Sequence, residues 1–242
     1  LHDNHIHLLG TVALDMCDLD GQSVNLDQLA AKIGECLPRY APASGDWLVV
    51  NQWSPYDGNT PTATHATLLA ALDAAAPNNP VMLAGVDGHA GGYNSQALAQ
   101  AQDKDGNVVG FNATTLAPGG VFEAFIPYVD LASGVIRDAA RSAIAVPDTG
   151  VLSAEGEQAA AQYDKILPAI SALMASRGIT GVQDACANDF IRQRLLNMQD
   201  QDLLHMRVTA ATCFHQDDYS GKLDIAGHLA KASQVRDAFA GN

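Results

Sequence analysis

The sequence predicts an α/β protein built on parallel strands, either an incomplete (β/α) barrel or an open sheet. Short apolar strands alternate with Ala- and Leu-rich helical stretches along the 242 residues, the pattern of parallel strands joined through helices. Hydrophobic residues make up 48% and charged residues 17%, a composition that can bury a sizeable core and is neither disordered nor fibrous. A closed barrel takes eight strands and roughly 250 residues, whereas about five strand–helix units are legible, so the barrel is expected to be incomplete.

The first strand is expected over His5–Gly10. Leu26, Leu29, Ile33 and Cys36 recur at helical spacing and place a helix over Asn25–Cys36. Ser44-Gly45-Asp46 announces a second strand, Trp47–Asn51, and a helix over Thr64–Ala76 is stopped by Pro77 and Pro80. The third strand, Val81–Val86, runs into Asp87-Gly88-His89. Lys104–Gly110 reads as a hairpin around Asp105-Gly106. The following stretch, rich in Gly and Pro, breaks the rhythm, so residues about 100–155 are expected to form an insertion over a pocket mouth. Alternation resumes with a helix over Glu155–Ser176, capped by Ser153, and a strand over Ile179–Asp184. A helix over Asp189–Gln199, a strand over Arg207–Phe214 and a last helix over Ile225–Phe239 complete one domain, 1–242.

Charge excludes several function classes. Thirteen Lys and Arg stand against 27 Asp and Glu, a formal net charge of −14 and a pI near 4.6. The basic residues are scattered, so neither nucleic acid nor an anionic membrane surface is an expected partner. No apolar run is long enough to span a bilayer, and Leu1-His-Asp-Asn-His-Ile-His opens the chain without the basic and apolar regions of a signal peptide. A cytoplasmic location is therefore expected, the alternative being an exported precursor whose leader was removed. Cys17, Cys36, Cys186 and Cys213 form no C-x-x-C, and are expected to be buried free thiols rather than a disulfide framework or zinc finger.

His5 and His7 carry the clearest chemistry. Residues i and i+2 of a strand share a face, so two imidazoles project together and suit Zn²⁺ or a similar divalent ion. Asp3 lies on the same face as a partner for one of them. In parallel α/β folds sites gather where strands end. Asp87 and His89 stand at such an end, as a substrate-contacting or proton-handling loop or as an ordinary strand-to-helix turn. Asp184 and His215 end two further strands, with a helix N-cap and a solvated loop as the plainer roles. No nucleophile elbow, phosphate loop, dinucleotide fingerprint or H-E-x-x-H is present.

Taken together, these segments resemble one known family. Leu1-His-Asp-Asn-His-Ile-His-Leu8 looks like the opening metal-binding strand of the amidohydrolase superfamily. Pro80-Val-Met-Leu-Ala-Gly-Val-Asp-Gly-His-Ala-Gly-Gly-Tyr-Asn-Ser-Gln-Ala-Leu98, Gly45-Asp-Trp-Leu-Val-Val-Asn-Gln-Trp53 and Arg177-Gly-Ile-Thr-Gly-Val-Gln-Asp-Ala185 are similar to three segments of amidohydrolase family 3, the branch of N-substituted formamide deformylase-like hydrolases. The resemblance implies a TIM-barrel metal-dependent hydrolase acting on non-peptide C–N bonds of amide or formamide type. It also implies His5 and His7 as metal ligands, zinc as the metal, and Asp87, His89, Trp53 and Asp184 as residues bordering the substrate.

The departures from the family are equally informative. Family members run to more than twice this length, open with part of a small β-sandwich, and continue beyond the match of Asn242 with a lysine-bearing strand, two further histidines and an aspartate. Lys222 and Lys231 do not match that lysine. The chain is therefore expected to be an N-terminal portion that binds Zn²⁺ weakly and lacks hydrolase activity by itself, since catalytic zinc generally has three protein ligands. The competing expectation is a non-catalytic small-molecule binding or assembly module on a degenerate hydrolase fold. Expected partners are an amide-type small molecule and, through exposed strand edges, a second copy or a complementing half-barrel.

Overall fold

Two separate sheets carry the strands in the computed structural model, which describes residues 1–12, 14–146, 157–212 and 225–238. In chain order the elements are β1 (His2–Ile6), β2 (Cys17–Asp18), α1 (Leu26–Tyr40), β3 (Leu48–Trp53), α2 (Leu68–Ala75), β4 (Val81–Gly85), β5 (Ala90–Tyr93), α3 (Ser95–Leu98), β6 (Val129–Asp130), β7 (Val135–Arg137), α4 (Glu157–Ser176), β8 (Gly181–Asp184), α5 (Asp189–Asp200), β9 (Arg207–Ala210) and α6 (Ile225–Ala238). Tight 3-10 turns occupy Leu8–Thr11, Glu123–Tyr128 and Asp138–Ala143. The chain divides into two units, Leu1–Leu14 with Glu157–Asn242, and Asp15–Gly156.

The larger unit contains a six-stranded sheet in the order β2-β3-β4-β5-β7-β6. β2, β3 and β4 run parallel, β5 runs against β4 and β7, and β6 runs against β7. Alternation along β3 covers both faces: Leu48 and Val50 join a core with Leu26, Leu29 and Ile33 of α1, whereas Trp47 and Val49 join one with Phe111, Phe122 and Phe125. A register shift between Val50 and Trp53, with Gln52 at φ 53°, places Trp53 in the same core as Leu48 and Val50. α1 starts where expected because Asn25 and Gln28 form a capping box, each side chain accepting from the other's backbone N–H.

Cysteine chemistry departs from expectation. Cys17 and Cys36 form a disulfide across 19 residues, and Cys186 is also disulfide-bonded, so these are not free thiols. Cys36 is the last member of the apolar stripe of α1, which packs against the sheet bearing Cys17 and brings the two Cα atoms to 5.7 Å. No local spacing encodes a pairing made by helix-on-sheet packing. Cys213 lies outside the described residues.

The smaller unit contains three parallel strands in the order β1-β8-β9. Its core gathers Leu8, Tyr163, Leu167, Val182, Leu195 and Met198, drawn from the turn after β1, from α4, β8 and α5.

All five expected strands exist, as β1, β3, β4, β8 and β9, but they divide between two sheets, and no closed barrel forms among the described residues. β2, β5, β6 and β7 were not legible. Ala90-Gly91-Gly92-Tyr93 shows no alternation, yet all four residues are buried, and a Cβ on Gly92 would lie 3.1 Å from Leu83. The stretch expected as an insertion thus supplies two sheet strands, β6 and β7. The hairpin expected at Lys104–Gly110 is a single antiparallel bridge, Gln102 to Val108, with Gly106 at φ 83° in its turn. The first strand sits earlier than expected, since Leu8–Thr11 turns as a 3-10 segment instead of extending it. His215, Ser153 and Lys222 lie outside the described residues.

Candidate functional site

Because β1, β8 and β9 are parallel, their C-terminal ends share one edge of the smaller sheet. His5 and His7 stand there, both exposed, with ring centroids 5.5 Å apart in an edge-to-face arrangement. Ile6, half-buried between them, belongs to the core side. Pairing with β8 shifts between Asp3 and Ile6, which adds a residue to β1 at Asn4–His5. Asp3 turns its Oδ1 to the His5 backbone N–H at 3.0 Å, so it shapes this bulge.

Asp184 ends β8 and is fully buried. Its Oδ2 accepts from the Leu8 N–H at 3.0 Å and its Oδ1 from the Cys186 N–H at 3.1 Å. Two imidazoles side by side are donors of the kind a borderline divalent ion takes, and in type they fit two positions of a zinc coordination shell. Among the described residues no group of three or more His, Cys, Asp or Glu is placed to hold a metal.

A second strand edge belongs to the larger unit. β7 runs in the direction of β4, so the ends of β3, β4 and β7 lie on one side of that sheet. Trp53 closes β3, 2% exposed, and donates from Nε1 to Asn59 Oδ1 at 2.8 Å, pinning the loop that carries Tyr56. Asp87 follows β4. Its Oδ1 accepts from the N–H groups of His89 and Ala90 at 3.0 and 2.9 Å, and its Oδ2 takes the Tyr56 hydroxyl at 2.6 Å. Gly88, at φ 71°, completes this tight turn, which Arg141 ties down through the Gly88 carbonyl. His89 Nδ1 lies 2.9 Å from Asp138 Oδ1, leaving Nε2 on an exposed ring. A carboxylate on one nitrogen orients the other for proton transfer or binding.

Partial burial pushes the Asp87 carboxyl upward, but the Tyr56 hydroxyl and the Ala90 and His89 N–H groups outweigh it and hold Asp87 below the ordinary carboxylate range. The same bond, reinforced by partial desolvation and the Asp87 charge, raises the Tyr56 phenol against a smaller opposing effect of Arg137. Sequence reading missed Tyr56, Asp138 and Arg141. Asp138 and Arg141 follow a strand without apolar alternation, and Tyr56 lies in a loop with only the neighbouring Trp53 as a signal. Of the expected residues, His5, His7 and Asp184 fall in one unit and Trp53, Asp87 and His89 in the other.

The amidohydrolase family matches residues 1–239, nearly the whole chain. The chain belongs to the amidohydrolase family. Two solved structures also resemble this amidohydrolase-family chain, each an uncharacterized metal-dependent hydrolase. The one from Pyrococcus horikoshii OT3 is 18% identical over 87% of the chain, with a TM-score of 0.45. The one from Pyrococcus furiosus is 18% identical over the same share, with a TM-score of 0.44. The chain spans 36% and 37% of the lengths of those hydrolases. No curated protein matches the sequence.

Proposed function

We propose that this amidohydrolase-family chain is the N-terminal part of a metal-dependent hydrolase of non-peptide C–N bonds, of the amide or formamide type. The observation that carries the reading is the exposed His5–His7 pair at the C-terminal end of a parallel strand, rings 5.5 Å apart. These imidazoles would supply two ligands to a divalent ion, zinc by donor type, and the part expected to complete the set lies outside this chain. When bound, such an ion lowers the pKa of water and polarises the scissile carbonyl.

The remaining roles follow from what each side chain leaves free. His89, braced by Asp138, presents Nε2 to a substrate, and Asp87 fixes the turn that carries it. Trp53 supports the loop that carries Tyr56, and Asp184 supports the chain after His7, each with its polar atoms engaged inside its own unit. β9 pairs only with β8 among the described strands, so its other edge suits a strand of a complementing half-barrel or of a second copy. Disulfide bonding at Cys17–Cys36 and at Cys186 favours the exported over the cytoplasmic reading, because such bonds persist in oxidising compartments.

The test is a zinc titration of this chain and its His5→Ala variant, with a hydrolysis screen of N-formyl amines and amides on both this chain and the longer gene product. Weak, His5-dependent zinc binding by this chain and turnover only by the longer product are expected. Turnover by this chain alone would overturn the division of the ligand set. A zinc isotherm unaffected by His5→Ala would overturn the metal assignment.

A further inference from the structure

We propose that Asp184 is a positioning residue for the metal-ligand pair, holding the chain immediately after His7 to the end of β8; the role rests on the reading of His5 and His7 as metal ligands. Normal ladder pairing cannot do this. The register between β1 and β8 is broken by the extra residue at Asn4–His5, and Ile6–Asp184 is the last pair. Beyond it the Ala185 N–H still reaches the Ile6 carbonyl at 2.8 Å, but the Leu8 N–H has no strand partner and turns to Asp184 Oδ2 at 3.0 Å. The other oxygen takes the Cys186 N–H at 3.1 Å. One carboxylate therefore joins the chain just past His7 to the chain just past β8.

The chemistry of the group fits the task. A buried carboxylate needs donors for its oxygens, and here both oxygens find backbone N–H groups, so the side chain is fixed at both ends. The bulge frees His5 and His7 from the regular pleat, and their mutual direction then depends on where the Leu8–Thr11 turn begins. Leu8 is 1% exposed, which seats the far side of the same peptide in the core. An asparagine has the same shape as Asp184 but offers an NH₂ in place of one acceptor, and that NH₂ would confront a backbone N–H.

The experiment compares wild type, Asp184→Asn and His5→Ala, using Zn²⁺ alone as the probe in calorimetry and amide hydrogen exchange by NMR as a readout independent of metal. Asp184→Asn is expected to weaken Zn²⁺ binding about 10-fold, the lower end of what losing an outer-sphere partner does. It should also speed exchange of the Leu8 or Cys186 amide about 10-fold while the amides of α5 hold their rates. Asp184→Asn with Zn²⁺ affinity within about 2-fold of wild type and unchanged exchange at both amides would overturn the positioning role and leave the metal reading standing. Wild type and His5→Ala binding Zn²⁺ alike would overturn the metal reading, and with it the role toward the metal. Should Asp184→Asn fail to fold, wild-type exchange decides: a Leu8 amide as slow as those of β8 supports the clamp, and one as fast as an open turn overturns it.

Discussion

Replacing Cys17 and Cys36 together by alanine is expected to destabilise the larger unit by about 3 kcal/mol. The crosslink closes a segment of 19 residues between β2 and the last turns of α1. Releasing that constraint returns about 11 cal/mol/K of entropy to the unfolded chain, or about 3 kcal/mol at 25 °C. Both cysteines are buried, at 1% and 5% exposure, so the alanines also leave small voids that act in the same direction. With an m-value of roughly 2 kcal/mol/M the urea midpoint falls by about 1.5 M. Trp47 and Trp53, the only two tryptophans, are both buried in this unit, so intrinsic fluorescence reports its unfolding selectively. Reduced wild type should unfold close to the double variant. A midpoint shift below about 0.3 M with an unchanged slope would refute the reasoning, since the crosslink would then not constrain the unfolded chain.

Gly134 sits at φ 77°, where an added Cβ would come within 2.3 Å of the Tyr93 carbonyl oxygen; Gly134→Ala should lower stability by at least about 1–3 kcal/mol, read as a drop in Tm. Trp53→Phe removes the bond to Asn59 and opens space in the core, and is expected to cost about 1–3 kcal/mol and loosen the 54–59 loop in amide exchange. Asp87 has a depressed folded pKa, so its contribution to stability is fully present above the ordinary carboxylate value and is lost as pH falls through the lowered one. The His89 and Ala90 amide signals should therefore shift only at a pH below the ordinary carboxylate range. Tyr56→Phe, which deletes one of the bonds lowering Asp87, should move that transition upward in an NMR titration, and no movement would show that the phenol does not tune the carboxylate.

Much of the scaffold was legible because its elements obey local rules. The stripe Leu26, Leu29, Ile33 and Cys36 marks α1 whatever lies opposite it, and all four residues are buried. β3 and β4 announce themselves as apolar runs bounded by turn residues. Local rules fail where the partner makes the structure. Ala90–Tyr93 is a strand because Leu83 and Ile136 cover it, and its glycines carry no pattern of their own. The site divides in the same way. His5-x-His7 is readable as a spacing, but the partners of Asp87, Asp184 and His89 come from 31, 176 and 49 residues away.

Residue chemistry and short-range periodicity therefore suffice to establish an α/β chain, an acidic and largely apolar composition, five strands, and two histidines aimed together from a strand. Tertiary structure alone decided that those strands divide between two sheets, that Cys17 reaches Cys36, and that the Asp184 carboxylate fastens the chain beyond His7. The reason is physical. Helix and strand propensities act over a few residues, whereas strand pairing, disulfide reach and the filling of a buried carboxylate's hydrogen bonds depend on which distant segments packing brings within about 3–6 Å.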